Sequence, residues 1–178
     1  MKILKKKSQV WYIDFMVGLL IFIIALVIYY EYSTNLSKQE KGLLDEILAD
    51  AKSISSSLVS AGYPFDWNSG DVERIGITNN DQRIDNEKLE EFYDMTYNQS
   101  RRLFGTRFDY FIFFKNKNNS IMKIDDECGV GNPNVVIEES EGNCISINIT
   151  TNPKELVGIK RLLIYNSDVI KMEVYVWE

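Results

Sequence analysis

The sequence predicts an α+β protein, in which a long N-terminal helix packs on a small antiparallel β-sheet head. Three observations predict this class. Residues 10–30 are almost entirely apolar, and no proline precedes residue 64, so nothing obliges a helix to stop early. Beyond residue 105, short apolar or alternating runs are separated by turn residues without intervening long helices, which is typical of locally paired antiparallel strands.

The composition excludes several functional classes. The 178 residues include 20 Lys+Arg, 26 Asp+Glu, no histidine and two cysteines. Catalytic arrangements that need histidine and metal sites that need histidine or four thiolates are therefore not possible within this chain. A net charge of −6 argues against nucleic-acid binding, which needs a basic surface. We expect no enzyme, no metal site and no cofactor.

The apolar stretch 10–30 predicts a membrane span. Of its 21 residues, 19 are apolar or aromatic, and only Asp14 and Gly18 interrupt it. A helix of this length rises about 31 Å, which matches the hydrocarbon core of a bilayer. Four lysines precede the stretch, and no basic excess follows it. The positive-inside rule therefore places the N-terminus in the cytoplasm and residues 31–178 outside, in a single-pass cell-membrane topology.

The residues before the span determine how this N-terminus is interpreted. The basic run ends in Lys7-Ser8-Gln9, the apolar helix follows directly, and no small-residue cleavage site comes after it. This arrangement resembles the class III, prepilin-type signal peptide of archaeal type IV pilins and archaellins. In that family a membrane peptidase cuts on the cytoplasmic side, before the apolar segment. The resemblance implies a cut between Ser8 and Gln9.

Asp14 would be the sixth residue of the processed chain. Many pilins carry a glutamate at the fifth position, so the resemblance departs by one residue. We expect Asp14 either to reach the free amine of a neighbouring subunit during assembly, where low dielectric strengthens the attraction, or to face lipid headgroups at the membrane edge.

A single apolar stripe follows the span at helical spacing. Its members are Leu36, Leu43, Ile47, Ala51, Ile54 and Leu58. The stripe predicts that the helix continues to about residue 60 and packs on the head, although Ser33-Thr34-Asn35 could break it. The expected organisation is a basic prepilin-type leader at 1–8, a transmembrane or filament-core helix at 9–30, its amphipathic continuation at 31–60, and an extracellular head at 61–178.

Turn residues and caps divide the head into short elements. Asp85 is placed as the N-cap of a helix ending near Asp94, and Gly105 as the end of a second helix beginning near Tyr97. The Gly129–Asn134 run predicts a plain loop. The predicted strands are 71–78, 107–115, 121–124, 134–138, 144–149, 158–165 and 169–177.

Two kinds of covalent modification are predicted for an outer domain. Cys128 and Cys144 are expected to form a disulfide worth about 3 kcal/mol, with a pair of free thiols as the alternative. Asn-x-Ser/Thr sequons, which are possible N-glycosylation sites, begin at Asn35, Asn98, Asn118 and Asn148. Asn118 is the best candidate because it lies in a predicted turn, and Asn148 the worst because its strand is expected to bury it.

The resemblance implies a pilin-like structural subunit, minor or accessory, of an archaeal type IV pilus-like surface filament. The implied partners are the membrane, the prepilin peptidase, the assembly platform and other pilin-like subunits. One alternative is an unprocessed single-pass membrane protein whose ectodomain binds a ligand or partner. A second is a membrane-tethered enzyme that uses only carboxylates, such as a glycosidase.

Overall fold

In the computed structural model, the backbone is described from residue 4 to residue 178, and side chains are described for residues 12–32 and 42–178. Helix α1 runs without interruption over Leu4–Leu58, a total of 55 residues. The chain divides into two compact units, Met1–Leu43 and Leu44–Glu178, so the last part of α1 belongs to the second unit. The expectation of an N-terminal apolar helix and an antiparallel sheet is confirmed.

Two short helices begin and end where their capping residues predict. In helix α2 (Asn86–Asp94), the Asp85 side chain accepts hydrogen bonds from the backbone N–H groups of Glu87 and Lys88. Helix α3 (Tyr97–Phe104) is capped by Thr96 and ends at Gly105, whose φ of 67° is left-handed. These caps satisfy backbone groups that the first and last helical turns leave without partners.

The strands form one five-stranded sheet and one separate hairpin. In the larger sheet the order is β2-β1-β7-β6, with β3 also paired to β1, while β4 pairs only with β5. All named strand pairs are antiparallel. The strands are β1 (Asp109–Lys115), β2 (Ile121–Met122), β3 (Val130–Gly131), β4 (Val135–Ser140), β5 (Asn143–Ile149), β6 (Leu156–Tyr165) and β7 (Asp168–Trp177).

The strand expected over 71–78 does not form. Ile75 and Ile77 are buried, but the backbone N–H of Ile77 donates to the Leu58 carbonyl and that of Thr78 to the Ser60 carbonyl. The segment therefore pairs partly with the end of α1 and its following turn, and it otherwise forms only isolated antiparallel bridges, of Arg74 with Tyr63 and of Thr78 with Ile84.

The loop expected over Gly129–Asn134 contains the short strand β3. A Cβ placed on Gly131 would lie 2.3 Å from the Tyr110 carbonyl oxygen, and Gly131 has a φ of 151°. Glycine therefore allows the backbone to approach β1 closely enough to pair with it. This pairing is invisible to periodicity because the strand has only two residues.

The core lies on both faces of β1. On one face, the Tyr110 ring contacts Tyr97 and Phe104 of α3, with ring centroids 5.4 and 5.3 Å away. On the opposite face, Phe111 and Phe113 pack with residues of the β4–β5 hairpin and of β7. The five consecutive buried residues of β1 reflect this double coverage.

The last part of α1 is an integral part of the head. Ile47, Ala51, Ile54 and Leu58 are at most 1% exposed, as the helical stripe predicts. Hydrogen bonds from Thr106 to Asp50, at 2.6 Å, and from Arg161 to Ser55, at 3.3 Å, connect its flanks to the rest of the head.

Candidate functional site

The most unusual surface of the chain is the helical segment Tyr12–Tyr32. It has a mean hydropathy of 2.5, and no residue in its most apolar part is buried. Its isoleucines are exposed by 50% or more, whereas those of the α1 stripe in the head are 1% exposed or less. By length and composition this helix could cross a membrane, and it is the single such candidate among the residues that the structure describes.

The residues predicted to direct processing and assembly lie at the start of α1. Asp14 is exposed and is one of two charged residues between Tyr12 and Tyr32, the other being Glu31. Lys7, Ser8 and Gln9 fall within the bounds of the helix, but their side chains lie outside the described residues. The predicted processing site and the role of Asp14 therefore stay predictions.

The disulfide predicted from the sequence is present and holds the β4–β5 hairpin. Cys128 precedes β3, Cys144 lies in β5, and their Cα atoms are 5.8 Å apart. Both residues are nearly buried. Beneath the hairpin, Val135 and the partly buried Ile137 and Ile147 pack on the sheet. The bridge and this apolar contact together fix the hairpin as an outer layer of the head.

The outer side of the hairpin carries both polar residues and exposed apolar residues, among them Val136, and it has a bulge. The pairing register shifts between Glu138 and Glu139, and Ile145 at this point is 59% exposed. The Glu138 carboxylate accepts hydrogen bonds from Ser146, at 2.8 Å, and from Asn148, at 3.3 Å. The expectation that its strand buries Asn148 is wrong, because the alternation of β5 directs this residue outward.

A buried carboxylate lies in the middle of the sheet. Glu173 of β7 is 1% exposed and forms ion pairs with Lys115 and Lys160, each at 3.3 Å. Tyr175 donates a further hydrogen bond to it at 3.1 Å. Burial alone would raise the pKa of Glu173, but the hydrogen bonds from the two lysines and from Tyr175 outweigh burial, so its pKa lies below the ordinary value.

A buried lysine anchors α2 to the loops around it. Lys88 is 6% exposed, and its Nζ donates to the carbonyl oxygens of Ala61, at 3.1 Å, and Thr78, at 3.4 Å, and to Asn79 Oδ1, at 3.1 Å. The Phe65 ring centroid lies 4.3 Å from the same nitrogen. The charge is thus fully coordinated by neutral oxygens and an aromatic face, which suits a structural role.

Beside Lys88 lies an open cleft of about 560 Å³ between α2 and the 65–68 loop. Two of its carboxylates already have structural partners, because Asp85 caps α2 and Glu91 accepts a hydrogen bond from the Ser69 backbone N–H at 2.7 Å. This bond is the main reason why the pKa of Glu91 lies below its ordinary value. The other residues that line the cleft include Phe65, Trp67, Asn79, Glu87 and Glu90.

Sequence reasoning missed both Lys88 and Glu173. Glu173 carries a usable signal, since it lies within an apolar strand between Met172 and Val174. Lys88 carries a weaker one, because it precedes the buried Leu89 within a polar helix. Among residues 12–32 and 42–178, no group of three histidine, cysteine or acidic side chains could hold a metal ion.

Comparisons with protein-family models, curated proteins and solved structures found no match for this chain.

Proposed function

We propose that this chain is a pilin-like structural subunit, minor or accessory, of an archaeal type IV pilus-like surface filament. One observation carries the proposal. Helix α1 exposes apolar side chains on every face over Tyr12–Tyr32, yet its last turns are built into an antiparallel head. A single helix thereby has one part suited to lipid or to other helices and another part suited to carrying a folded domain.

The physical basis of assembly is the exchange of one apolar environment for another. Apolar surface left in water costs about 25 cal/mol per Å², so Tyr12–Tyr32 requires either lipid or neighbouring helices around it. In the proposed filament, helices of other subunits replace lipid with little net hydrophobic cost. Close packing between helices then supplies the attraction, as it does between helices in membranes.

Asp14 has a defined part in this proposal. Cleavage between Ser8 and Gln9 would create a positively charged amine at Gln9, and the Asp14 carboxylate of one subunit would pair with the amine of its neighbour. At low dielectric such a pair is much stronger than in water, and leaving either charge alone is costly. The pair would therefore favour one axial register of the bundled helices over others.

The proposed role of the head is display. Its core includes the buried residues of the α1 stripe, and its sheet and hairpin pack on each other, whereas Tyr12–Tyr32 is exposed. The outer side of the disulfide-held hairpin would face the surroundings of the filament. The partners required are the prepilin peptidase, the assembly platform and other pilin-like subunits.

The test is the N-terminus of the mature full-length chain. After expression in archaeal cells that contain a prepilin peptidase, mass spectrometry should find a chain that begins at Gln9. Ser8→Ala keeps a small residue and should be cut, whereas Ser8→Phe should accumulate uncut. An intact Met1 chain in those cells would contradict the proposal and favour an unprocessed single-pass protein.

Filament incorporation is measured separately. Shearing the cells should release the processed chain with other surface filaments. Asp14→Ala should still be cut and should fold its head normally, but should be depleted from the sheared fraction. If Asp14→Ala assembles as well as the unaltered chain, the assembly role of Asp14 is wrong.

A further inference from the structure

The turn between β1 and β2, residues 116–120, is held in one conformation by its own side chains. Asn116 Oδ1 accepts hydrogen bonds from the backbone N–H groups of Asn118, at 2.9 Å, and Ser120, at 3.0 Å. The Asn116 backbone N–H also donates to the Ser120 carbonyl, at 3.0 Å. Asn119 adopts a φ of 66°, the left-handed conformation that asparagine tolerates in turns.

Two other side chains of this turn attach it to β7. Lys117 forms an ion pair with Asp168 at 3.0 Å, and Asn119 Oδ1 accepts a hydrogen bond from Lys171 at 2.6 Å. Asn118 and Ser120 are both exposed, and neither side chain has a hydrogen-bond partner within the described part of the chain. The turn therefore commits its other polar side chains and leaves these two accessible.

Asn118 and Ser120 are the acceptor and the hydroxyl residue of one Asn-x-Ser sequon. We propose that Asn118 is an N-glycosylation site of the folded protein, and that the sequons at Asn98 and Asn148 are not used. The reason is accessibility, because a glycosyltransferase that reads this sequon has to reach both the amide and the hydroxyl. The proposal rests on the outward placement of the head in the proposed function.

The reaction needs a lipid-phosphate-linked oligosaccharide as co-substrate. Asn118 Nδ2 forms a bond to the anomeric carbon of the first sugar, and the bond between that carbon and the phosphate oxygen breaks. The lipid phosphate leaves with the bonding electron pair, and the amide nitrogen loses one proton. No oxidation or reduction takes place.

The sequon at Asn98 has an exposed asparagine but a blocked hydroxyl residue. Ser100 lies in α3, is 1% exposed, and has its Oγ 2.5 Å from the phenolic oxygen of Tyr110. Its Oγ also lies within hydrogen-bond distance of the Thr96 and Tyr97 carbonyl oxygens, at 3.2 and 3.1 Å. Reading this hydroxyl would require α3 to separate from the sheet.

The sequon at Asn148 is exposed, but its polar side chains are already hydrogen-bonded within the protein. The Asn148 amide donates to Glu138 at 3.3 Å and to Ser146 at 3.2 Å, and the Thr150 hydroxyl donates to the Asn134 carbonyl at 2.8 Å. The groups that a transferase needs are therefore already hydrogen-bonded within the hairpin. The side chains of the sequon at Asn35 lie outside the described residues, so this sequon is not compared with the other three.

The experiment expresses the full chain in archaeal cells whose surface proteins carry N-glycans, and analyses intact glycopeptides by mass spectrometry. The peptide that contains Asn118 should carry the glycan mass. Asn118→Gln and Ser120→Ala should each lose that mass completely, whereas Ser120→Thr should retain it. Asn98→Gln and Asn148→Gln should leave the glycan mass of the protein unchanged.

A reference sequon, Asn-Gly-Thr, appended after Glu178 separates the two ways in which the proposal can fail. If the appended sequon carries a glycan and Asn118 does not, the placement of the head holds and the site is wrong. If both are bare, the head does not reach the glycosylating side, which overturns this proposal together with the topology it rests on. A glycan found on Asn98 or Asn148 would refute the accessibility argument.

Discussion

Two regions of helix α1 differ in how their apolar residues are arranged. Over Tyr12–Tyr32 the apolar residues cover every face and remain exposed, whereas in the last turns they form one stripe that is almost completely buried. An apolar surface without a preferred side suits surroundings that are the same on all sides, such as lipid or a bundle. A stripe suits one folded partner. The distribution of apolar residues therefore distinguishes the exposed surface of Tyr12–Tyr32 from the stripe that is buried within the head.

The largest effect is expected from a matched pair of isoleucine substitutions. Ile54→Ala empties a buried position and should lower the free energy of unfolding of the head by about 2–5 kcal/mol. Ile24→Ala, at a position that is 50% exposed, should change it by less than about 0.5 kcal/mol. Denaturation of the full chain in detergent measures both. Equal losses would show that the contrast between the two regions is wrong.

The converse test introduces charge. Ile24→Arg should disfavour membrane insertion by about 3 kcal/mol, since an arginine near the centre of a span loses its hydration. Ser53→Arg, on the exposed side of the same helix within the head, should have no such effect. Alkaline extraction of membranes measures the fraction that stays inserted. Normal insertion of the Ile24→Arg variant would contradict the prediction that Tyr12–Tyr32 spans the membrane.

The disulfide is one of the head's own contacts, and we expect such contacts, rather than the exposed segment, to stabilise the head. Replacing Cys128 and Cys144 together by serine should lower the free energy of unfolding by about 2–3 kcal/mol, because the open chain gains entropy when unfolded. Reduction of the unaltered protein should give the same loss. If neither treatment changes stability, the hairpin is held by its apolar contacts alone.

A smaller, pH-dependent effect is expected at Glu173. Glu173→Gln should lower the free energy of unfolding by about 1.5 kcal/mol near neutral pH, which is the lower end of the range for hydrogen bonds to charged groups. Because the folded-state pKa of Glu173 is depressed, its contribution is fully present above its ordinary value of 4.5 and is lost as pH falls through the lower folded-state pKa. Denaturation between pH 2 and 7 should therefore show the two proteins converging in acid. A constant difference across that range would contradict the assignment.

The smallest effect concerns the exposed side of α1 in the head. The ion pair between Arg107 and Glu46, at 2.6 Å, is exposed at both side chains. Glu46→Gln should therefore cost at most about 1 kcal/mol, and the loss should shrink further in high salt. Denaturation at two salt concentrations tests this. A loss as large as that of Ile54→Ala would mean that exposed charges, not the buried stripe, attach the helix.

Local patterns predicted much of the fold correctly. The caps at Asp85 and Gly105 identified both short helices, because capping is a contact between residues a few positions apart. The predicted strands 158–165 and 169–177 likewise correspond to the β6–β7 hairpin, because the short turn between them is set by neighbouring residues. The predicted strand over 71–78 is wrong because part of its backbone hydrogen-bonds to the end of α1, and an apolar pattern alone does not distinguish a strand from a buried loop.

Some features of the candidate surfaces were also predicted from the sequence, and others were not. The exposed apolar segment was predicted from composition, and the disulfide was predicted from the expected outer compartment. The hydrogen bonds that involve the sequon residues Ser100 and Asn148 were not. Ser100 is blocked by Tyr110, ten residues later in sequence, and Asn148 is engaged by Glu138 on the neighbouring strand. Neither partner could be identified before the strands were placed.

By itself, the sequence determined the two kinds of surface on α1 and the points where the chain turns, because these depend on the order of neighbouring residues. Only the tertiary structure decided that β1 is covered on both faces, that Glu173 is buried between two lysines, and that Asn118 and Ser120 are left accessible. These features depend on which distant segments meet. Hydrogen bonds and burial are satisfied by neighbours in space, and one chain pattern is compatible with many such neighbours.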